Sequence, residues 1–144
     1  MTPLIIILGP TGAGRADVVK ELVAHAWPEG RKVRVLREVR EGGVAPDAWE
    51  FKDGHAIVPA PGDEDAAILV THGALHVIDQ MEALHRTVRP MQPDAVWRVA
   101  RILTVVDCPL TMKHKAVEEW YRPCVHFSDA VIINRRWEVP GQWV

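Results

Sequence analysis

The 144-residue sequence has few cysteines, no excess of charge of either sign and no apolar run long enough for a membrane helix. Cys108 and Cys124 are its only cysteines, which argues against a disulfide-rich secreted domain and favours a reducing, cytoplasmic compartment. The net charge of −2 gives no electrostatic reason to expect nucleic acid or an anionic membrane as a partner. The N-terminal run PLIIIL is far shorter than the ~20 residues of a membrane span, so we interpret it as a buried strand.

Short apolar runs alternate with helical stripes along the chain, which is typical of an α/β fold. The length suits a single domain over residues 1–144. The apolar runs predict strands at about residues 3–8, 32–36, 66–71, 101–107 and 129–134. The helical stripes predict helices at about residues 14–26, 76–88 and 111–124, the second of which ends before Pro90. Buried strands separated by helices predict a mainly parallel sheet with right-handed crossovers.

Two stretches are predicted to lie at the edge of the sheet. RKVRVLREVR, residues 31–40, alternates charges with valines and is interpreted as a solvated strand edge. Residues 38–65 show no helical pattern, but two short β-prone runs flank the pair Asp53-Gly54, which is suited to a tight turn. We therefore expect a hairpin insertion at about residues 49–58 that projects from the sheet.

Residues 9–16, GPTGAGRA, have the glycine spacing of a phosphate-binding loop and lie between a predicted strand and a predicted helix. Glycines permit a backbone that turns successive N–H groups toward an anion, and the helix dipole favours negative charge there. A glycine-rich turn without a ligand is the alternative. The predicted phosphate-binding residues are Gly9, Pro10, Thr11, Gly12, Ala13, Gly14, Arg15 and Ala16.

The last two positions of this loop depart from the usual Lys followed by Ser or Thr, since they hold Arg15 and Ala16. Arg15 keeps a positive charge, but a planar guanidinium does not reproduce a compact ammonium between two phosphates. Ala16 lacks the hydroxyl that coordinates Mg²⁺, and Asp17 points roughly 100° away around the helix. We therefore predict that any nucleotide hydrolysis is slow and that Mg²⁺ is weakly required or not required.

Several stretches resemble the CobW-type GTPases, a group of P-loop proteins linked to metal-cofactor handling. ILTVVDC is similar to the family's strand T-V-V-D-A, and FSDAVIINRRW, residues 127–137, is similar to its F-A-D-x-I-L-x-N-K-x-D. VLREVREGGVAP resembles the strand and glycine-containing switch segment, and AAILVTHGALH resembles the L-I-E-T-x-G region. The resemblance covers residues 4 to about 137, and along the chain these stretches follow the family's order.

The resemblance implies a three-layer P-loop NTPase-like domain with a mainly parallel sheet that binds GTP or ATP. It implies that Asn134 borders the base, while Trp137 replaces the acid that selects guanine, and an indole stacks on any base. Val70 stands in place of the family's glutamate, whereas Gly73 is kept. The family's metal-binding cysteines are replaced by residues 55–58, so its thiolate metal site is not expected.

Four residues are candidates for a metal site. His72 and His76 are four residues apart, and with His55 of the predicted hairpin they would supply three imidazoles for zinc or nickel. Surface or capping histidines are the alternative. Asp107 follows a predicted buried strand, where it would make a water-mediated Mg²⁺ contact or cap the next helix.

The tail, residues 135–144, carries Trp137 and Trp143 beside Arg135 and Arg136, and these residue types are enriched at interfaces. Packing of the tryptophans back onto the domain is the alternative.

Three functional hypotheses follow. The first is a nucleotide-binding protein that resembles a CobW-type GTPase and is at best a slow GTPase or NTPase. The second is a non-catalytic protein-interaction domain on the same fold, which binds a protein partner or a second copy through its tail and hairpin. The third, a small-molecule kinase, lacks the Arg-rich lid segment that would support it.

Overall fold

The computed structural model describes residues 1–88 and 95–141 of the chain. The strands in these residues are β1 (Thr2–Leu8), β2 (Val33–Glu38), β3 (Ala48–Lys52), β4 (His55–Ile57), β5 (Ala66–Val70), β6 (Trp97–Asp107) and β7 (Ala130–Asn134). The helices are α1 (Arg15–His25), α2 (Val77–Thr87), α3 (Cys108–Lys113) and α4 (Ala116–Phe127). The predicted α/β class is confirmed.

The strands form one sheet in the order β4-β3-β2-β5-β1-β6-β7. Every neighbouring pair is parallel except β3 and β4, so the sheet is mostly parallel, as predicted. Strand β1 lies between β5 and β6, and every residue of β5 is buried, as expected of a strand that is covered on both faces. Because parallel strands share an edge, the loops after β1, β2, β5, β6 and β7 lie at one end of the sheet.

Two apolar clusters separate the chain into three layers. Helix α1 packs through Val18 and Val19 with Ile7, Ile68 and Val105 of the sheet. Helices α2 and α4 pack on the alternate side chains of the same strands, in a cluster whose buried members include Leu4, Leu69, Leu84, Tyr121 and Cys124. A single long helix therefore covers one face in the described residues, while two cover the other.

The predicted hairpin is confirmed, but its placement is not. Asp53 and Gly54 have φ angles of 52° and 75°, the pair of left-handed conformations that a type I′ turn requires. The hairpin does not project, because β3 pairs with β2 and makes β3 and β4 the margin of the sheet. Trp49 anchors it, since this side chain is 1% exposed and its Nε1 donates to the Val70 carbonyl at 2.8 Å.

The interpretation of residues 31–40 as a strand edge is wrong, because β2 lies inside the sheet between β3 and β5. Arg34 of this strand is largely buried and pairs with carboxylates of nearby loops. Arg34 Nε lies 2.8 Å from Asp47 Oδ1, and its Nη1 lies 3.3 Å from Glu64 Oε1.

The single helix predicted at 111–124 is in fact two helices, α3 and α4. Asp107 caps α3 by accepting the Leu110 N–H at 3.0 Å, and Pro109 lies in the first turn, where its missing N–H costs nothing. His114 adopts an extended conformation that ends α3. The sequence DCP, residues 107–109, signals a helix that begins at Cys108, three residues before the predicted start at residue 111.

The last two strands also differ from the prediction. Strand β6 begins at Trp97 instead of residue 101, and Trp97 is buried. Strand β7 was expected to be buried, but it is the last strand of the sheet, and Val131 and Ile133 are 39% and 48% exposed. No helix in residues 1–88 or 95–141 is long and apolar enough to cross a membrane.

Candidate functional site

The glycine loop between β1 and α1 has the backbone that its sequence predicts. Gly12 and Gly14 have φ angles of 86° and 80°, which L-residues rarely adopt. The Ala13 N–H donates to the Pro10 carbonyl at 3.1 Å, and the Ala13 side chain is fully buried. A side chain at position 14 would collide with the amide of Asn134. The loop therefore depends on glycine both for its conformation and for the close approach of β7.

Several amides at this loop have no acceptor in the described structure. The backbone N–H groups of Gly12, Gly14 and Ala16 make no hydrogen bond within residues 1–88 and 95–141, and no side chain caps α1. Unpaired N–H groups at the start of a helix, together with the helix dipole, favour a bound anion. These N–H groups are therefore free to donate to an anion, and phosphate binding at the loop stays a prediction.

Arg15 is committed to protein acceptors. Its side chain passes Gly9, where a Cβ would lie 3.0 Å from Arg15 Cδ. Its guanidinium donates to the Thr71 carbonyl, and Nη2 lies 3.4 Å from Glu41 Oε2. The charge lies beside the loop, as predicted, but it is already paired.

Glu41 was not predicted at this site. It ends a short 3₁₀ turn, Val39–Glu41, that follows β2. Its Oε1 accepts the Gly73 N–H at 2.6 Å, and the Gly73 carbonyl in turn accepts the Thr11 N–H at 3.1 Å. The position of Glu41 in the segment that resembles a switch was the only sequence signal for this contact.

A cavity of about 960 Å³ adjoins the loop, between α1 and β7. The sequence-predicted residues that line it are Gly12, Gly14, Asn134 and Trp137. The Asn134 Nδ2 donates to the Ala13 carbonyl at 3.0 Å, which ties β7 to the loop. Trp137 is 80% exposed, so its ring is accessible from the cavity mouth. The structure therefore brings both ends of the predicted nucleotide site to one cavity.

The position where P-loop proteins hold Mg²⁺ does not fit the ion in this chain. Ala16 supplies no oxygen from its side chain, and the Thr71 hydroxyl donates to the Ile7 carbonyl at 3.0 Å. The buried Glu38 carboxylate accepts the Arg40 N–H at 2.8 Å, and Glu41 is paired with Arg15. The oxygens of Thr71, Glu38 and Glu41 are thus already used by protein partners.

Asp107 pairs with Arg135 instead of offering a metal ligand. Its two carboxylate oxygens lie 2.6 Å from Nε and 2.6 Å from Nη2 of Arg135, and the Asp107 side chain is fully buried. The hydrogen bond to Asp107 raises the pKa of Arg135 above its usual value. The capping alternative is the one that the structure bears out, since Asp107 also caps α3.

The three histidines proposed for a metal site have separate surroundings. The His72 Nδ1 accepts the Ala74 N–H at 3.1 Å, His76 lies 3.8 Å from Asp79, and His55 is exposed on β4. Among the residues that the structure describes, no group of three or more His, Cys, Asp or Glu side chains is arranged to hold a metal ion. The hypothesis of a three-histidine site finds no support there.

Both cysteines are buried and unpaired with each other, as expected of reduced core thiols. Burial raises the pKa of Cys124 to about 12 and also raises that of Cys108. Burial therefore makes both thiols weaker nucleophiles than an exposed cysteine. Trp143 of the tail lies outside the described residues.

Comparison with protein-family models, curated proteins and solved structures finds no match. The resemblance to CobW-type GTPases therefore stays a prediction that rests on the sequence.

Proposed function

We propose that the chain is a nucleotide-binding P-loop protein of the kind that the CobW-type GTPases represent, with slow or no hydrolysis. The observation that carries the proposal is the loop itself. Gly12 and Gly14 adopt left-handed conformations, and their N–H groups have no acceptor in the described structure, beside a cavity of about 960 Å³. A diphosphate group needs such donors, and the cavity is large enough for the nucleoside.

The proposal assigns a distinct role to each side of the cavity. The amides of the loop bind the phosphates, and Arg15 lies beside them with its charge paired to Glu41. Asn134 holds the loop against β7 through the Ala13 carbonyl. Trp137 stacks on the base from the cavity mouth, which gives affinity without strong selection between GTP and ATP.

Weak hydrolysis follows from the side chains that this site lacks. Ala16 supplies no Mg²⁺ ligand, and Val70 stands where the resembling family has a glutamate. The metal normally neutralises the charge that develops during phosphoryl transfer. Nucleotide binding in this chain would therefore depend little on Mg²⁺. The two reduced thiols favour the cytoplasm as the compartment in which it takes place.

Calorimetric titration with GDP, GTP, ADP and ATP tests the proposal, with Trp137→Ala and Trp137→Phe as a matched pair. Stacking on an aromatic ring contributes about 1–3 kcal/mol per base, so Trp137→Ala should weaken binding about tenfold while Trp137→Phe keeps most of it. Because Trp137 is 80% exposed, neither change should unfold the protein. Absence of binding to the wild-type protein at millimolar nucleotide would contradict the proposal.

A second candidate function is a non-catalytic interaction domain that binds another copy of the chain, and the exposed apolar surface at β7 favours it. Val131 and Ile133 lie on one face of this margin strand at 39% and 48% exposure, followed by Trp137 at 80%. Sedimentation velocity of the wild-type protein and of Ile133→Lys tests it. A dimer that the substitution dissociates supports this candidate, and a wild-type monomer at micromolar concentration contradicts it.

A further inference from the structure

The carboxylate of Glu41 joins two positively polarised groups next to the glycine loop. Its Oε1 lies 2.6 Å from the Gly73 nitrogen, and both of its oxygens lie 3.4 Å from Arg15 Nη2. The His72 Nδ1 lies 3.8 Å away and accepts a backbone N–H, so the histidine adds no donor at that atom. Glu41 is 24% exposed and Arg15 is 11% exposed, so water screens this contact only in part.

The contact lies against the loop that would hold the phosphates. The Gly73 carbonyl accepts the Thr11 N–H at 3.1 Å, and a side chain at position 73 would collide with Thr11 and with the Arg15 guanidinium. A row of phosphates that begins at the loop amides and extends toward Arg15 therefore meets the Glu41 carboxylate. Glu41 already occupies two donors beside the loop, the Gly73 N–H and the Arg15 guanidinium.

The chain around Glu41 holds the carboxylate in this place. The buried Glu38 side chain accepts the Arg40 N–H at 2.8 Å, and the Glu38 carbonyl accepts the Gly43 N–H at 3.0 Å. Gly42 closes the turn with a φ of 92°. A side chain at Gly43 would overlap the Arg37 carbonyl, so the segment packs tightly against the end of β2. Displacement of Glu41 would therefore disturb an ordered turn.

We propose that Glu41 determines specificity by occupying the place of a terminal phosphate, so that the site binds nucleoside diphosphates in preference to triphosphates. The inference rests on the proposed nucleotide-binding function and adds the class of nucleotide to it. A bound triphosphate must place its terminal phosphate next to the negatively charged Glu41 carboxylate, or it must displace that carboxylate from Gly73 and Arg15. A diphosphate uses the loop amides and leaves the contact intact.

Titration of GDP and GTP, and of ADP and ATP, into three proteins without added metal tests the inference. The proteins are the wild type, Glu41→Gln and the charge-matched control Glu82→Gln, whose side chain is exposed on α2. The wild type and the control should bind the diphosphate about tenfold or more tightly than the triphosphate. Glu41→Gln removes the charge and keeps an oxygen for the Gly73 N–H, so it should bring the ratio close to one, chiefly by strengthening triphosphate binding.

The outcomes separate this inference from the function on which it rests. Binding with a wild-type ratio near one, or a preference that Glu41→Gln leaves unchanged, overturns the inference and leaves nucleotide binding standing. Equal weakening of both ligands also overturns it, because it marks Glu41 as a structural support only. Absence of binding in all three proteins overturns both. If Glu41→Gln fails to fold, Glu41→Asp replaces it, and its shorter side chain must lower the preference for the diphosphate. The wild-type ratio alone still decides whether the diphosphate is preferred.

Discussion

The side-chain amide of Asn134 lies 3.0 Å from the Ala13 carbonyl, although the two residues are 121 positions apart in the sequence. This contact links the end of β7 to the glycine loop after β1. It also places Asn134 where a side chain on Gly14 would have to lie.

We predict that Gly14→Ala destabilises the protein more than Gly30→Ala does. Both glycines have left-handed φ angles, of 80° and 87°, so each substitution should cost about 1–2 kcal/mol of conformational strain. Only at position 14 would the new Cβ also meet a neighbour, the Asn134 amide. Urea denaturation of both variants measures the difference, and equal losses would show that the contact with Asn134 relaxes without cost.

Ala16→Ser should make nucleotide binding depend on Mg²⁺. The hydroxyl would face the position where P-loop proteins hold the ion, and it would supply one of the ligands that the wild-type chain lacks. We expect Mg²⁺ to tighten triphosphate binding in this variant and to leave the wild type nearly unchanged. Titrations in EDTA and in millimolar Mg²⁺ measure the effect; the same response in both proteins would refute the role assigned to Ala16.

Asp107→Ala should destabilise the protein more than Asp107→Asn. The alanine variant loses the α3 cap, which is worth about 1 kcal/mol, together with both hydrogen bonds to Arg135. Asparagine keeps one oxygen for the Leu110 N–H and Arg135 Nη2, but it loses the charge and the acceptor for Arg135 Nε. Thermal unfolding compares the melting temperatures of the two variants. A higher melting temperature for Asp107→Ala than for Asp107→Asn would contradict the capping role.

The free energy of unfolding should fall as the pH rises above about 9, because buried acids, among them Cys124 and Tyr121, stay protonated in the folded chain. Burial raises the pKa of Cys124 from 9.0 to about 12 and that of Tyr121 from 10.0 to about 12. The unfolded chain therefore releases these protons first, and stability declines through this window toward pH 12.

Guanidinium denaturation at pH 7, 9 and 10.5 follows this decline. Cys124→Ala should reduce the slope between pH 9 and 10.5, since it removes one of the buried titrating groups. An unfolding free energy that is constant over this range would show that neither group stays protonated in the folded state.

Local patterns predicted much of the fold because each rests on short-range chemistry. Three features specify their own conformation: the apolar run of β5, the turn at Asp53-Gly54 and the apolar stripe of helix α1. The errors came from long-range packing. Nothing local in residues 31–40 shows that β3 joins β2 and that Asp47 and Glu64 pair with Arg34.

The candidate site divides in the same way. The loop was predictable because glycine spacing determines its backbone. Asn134 was assigned to the site from the resemblance to the CobW-type GTPases. The Glu41 contact was not predictable, because it depends on how the turn after β2 meets the loop after β5. The Asp107–Arg135 pair likewise depends on two strand ends that meet only in the folded sheet.

Thermal stability with and without nucleotide tests the central claim, that the glycine loop binds phosphates, most directly. The full chain would be melted with GTP, ATP, GDP, ADP or no ligand, each with EDTA and with Mg²⁺. A nucleotide at 100 times its dissociation constant should add about 2.7 kcal/mol to the unfolding free energy, and the shift should be independent of Mg²⁺. An unchanged melting temperature at millimolar concentrations of all four nucleotides would mean that residues 9–16 form only a turn.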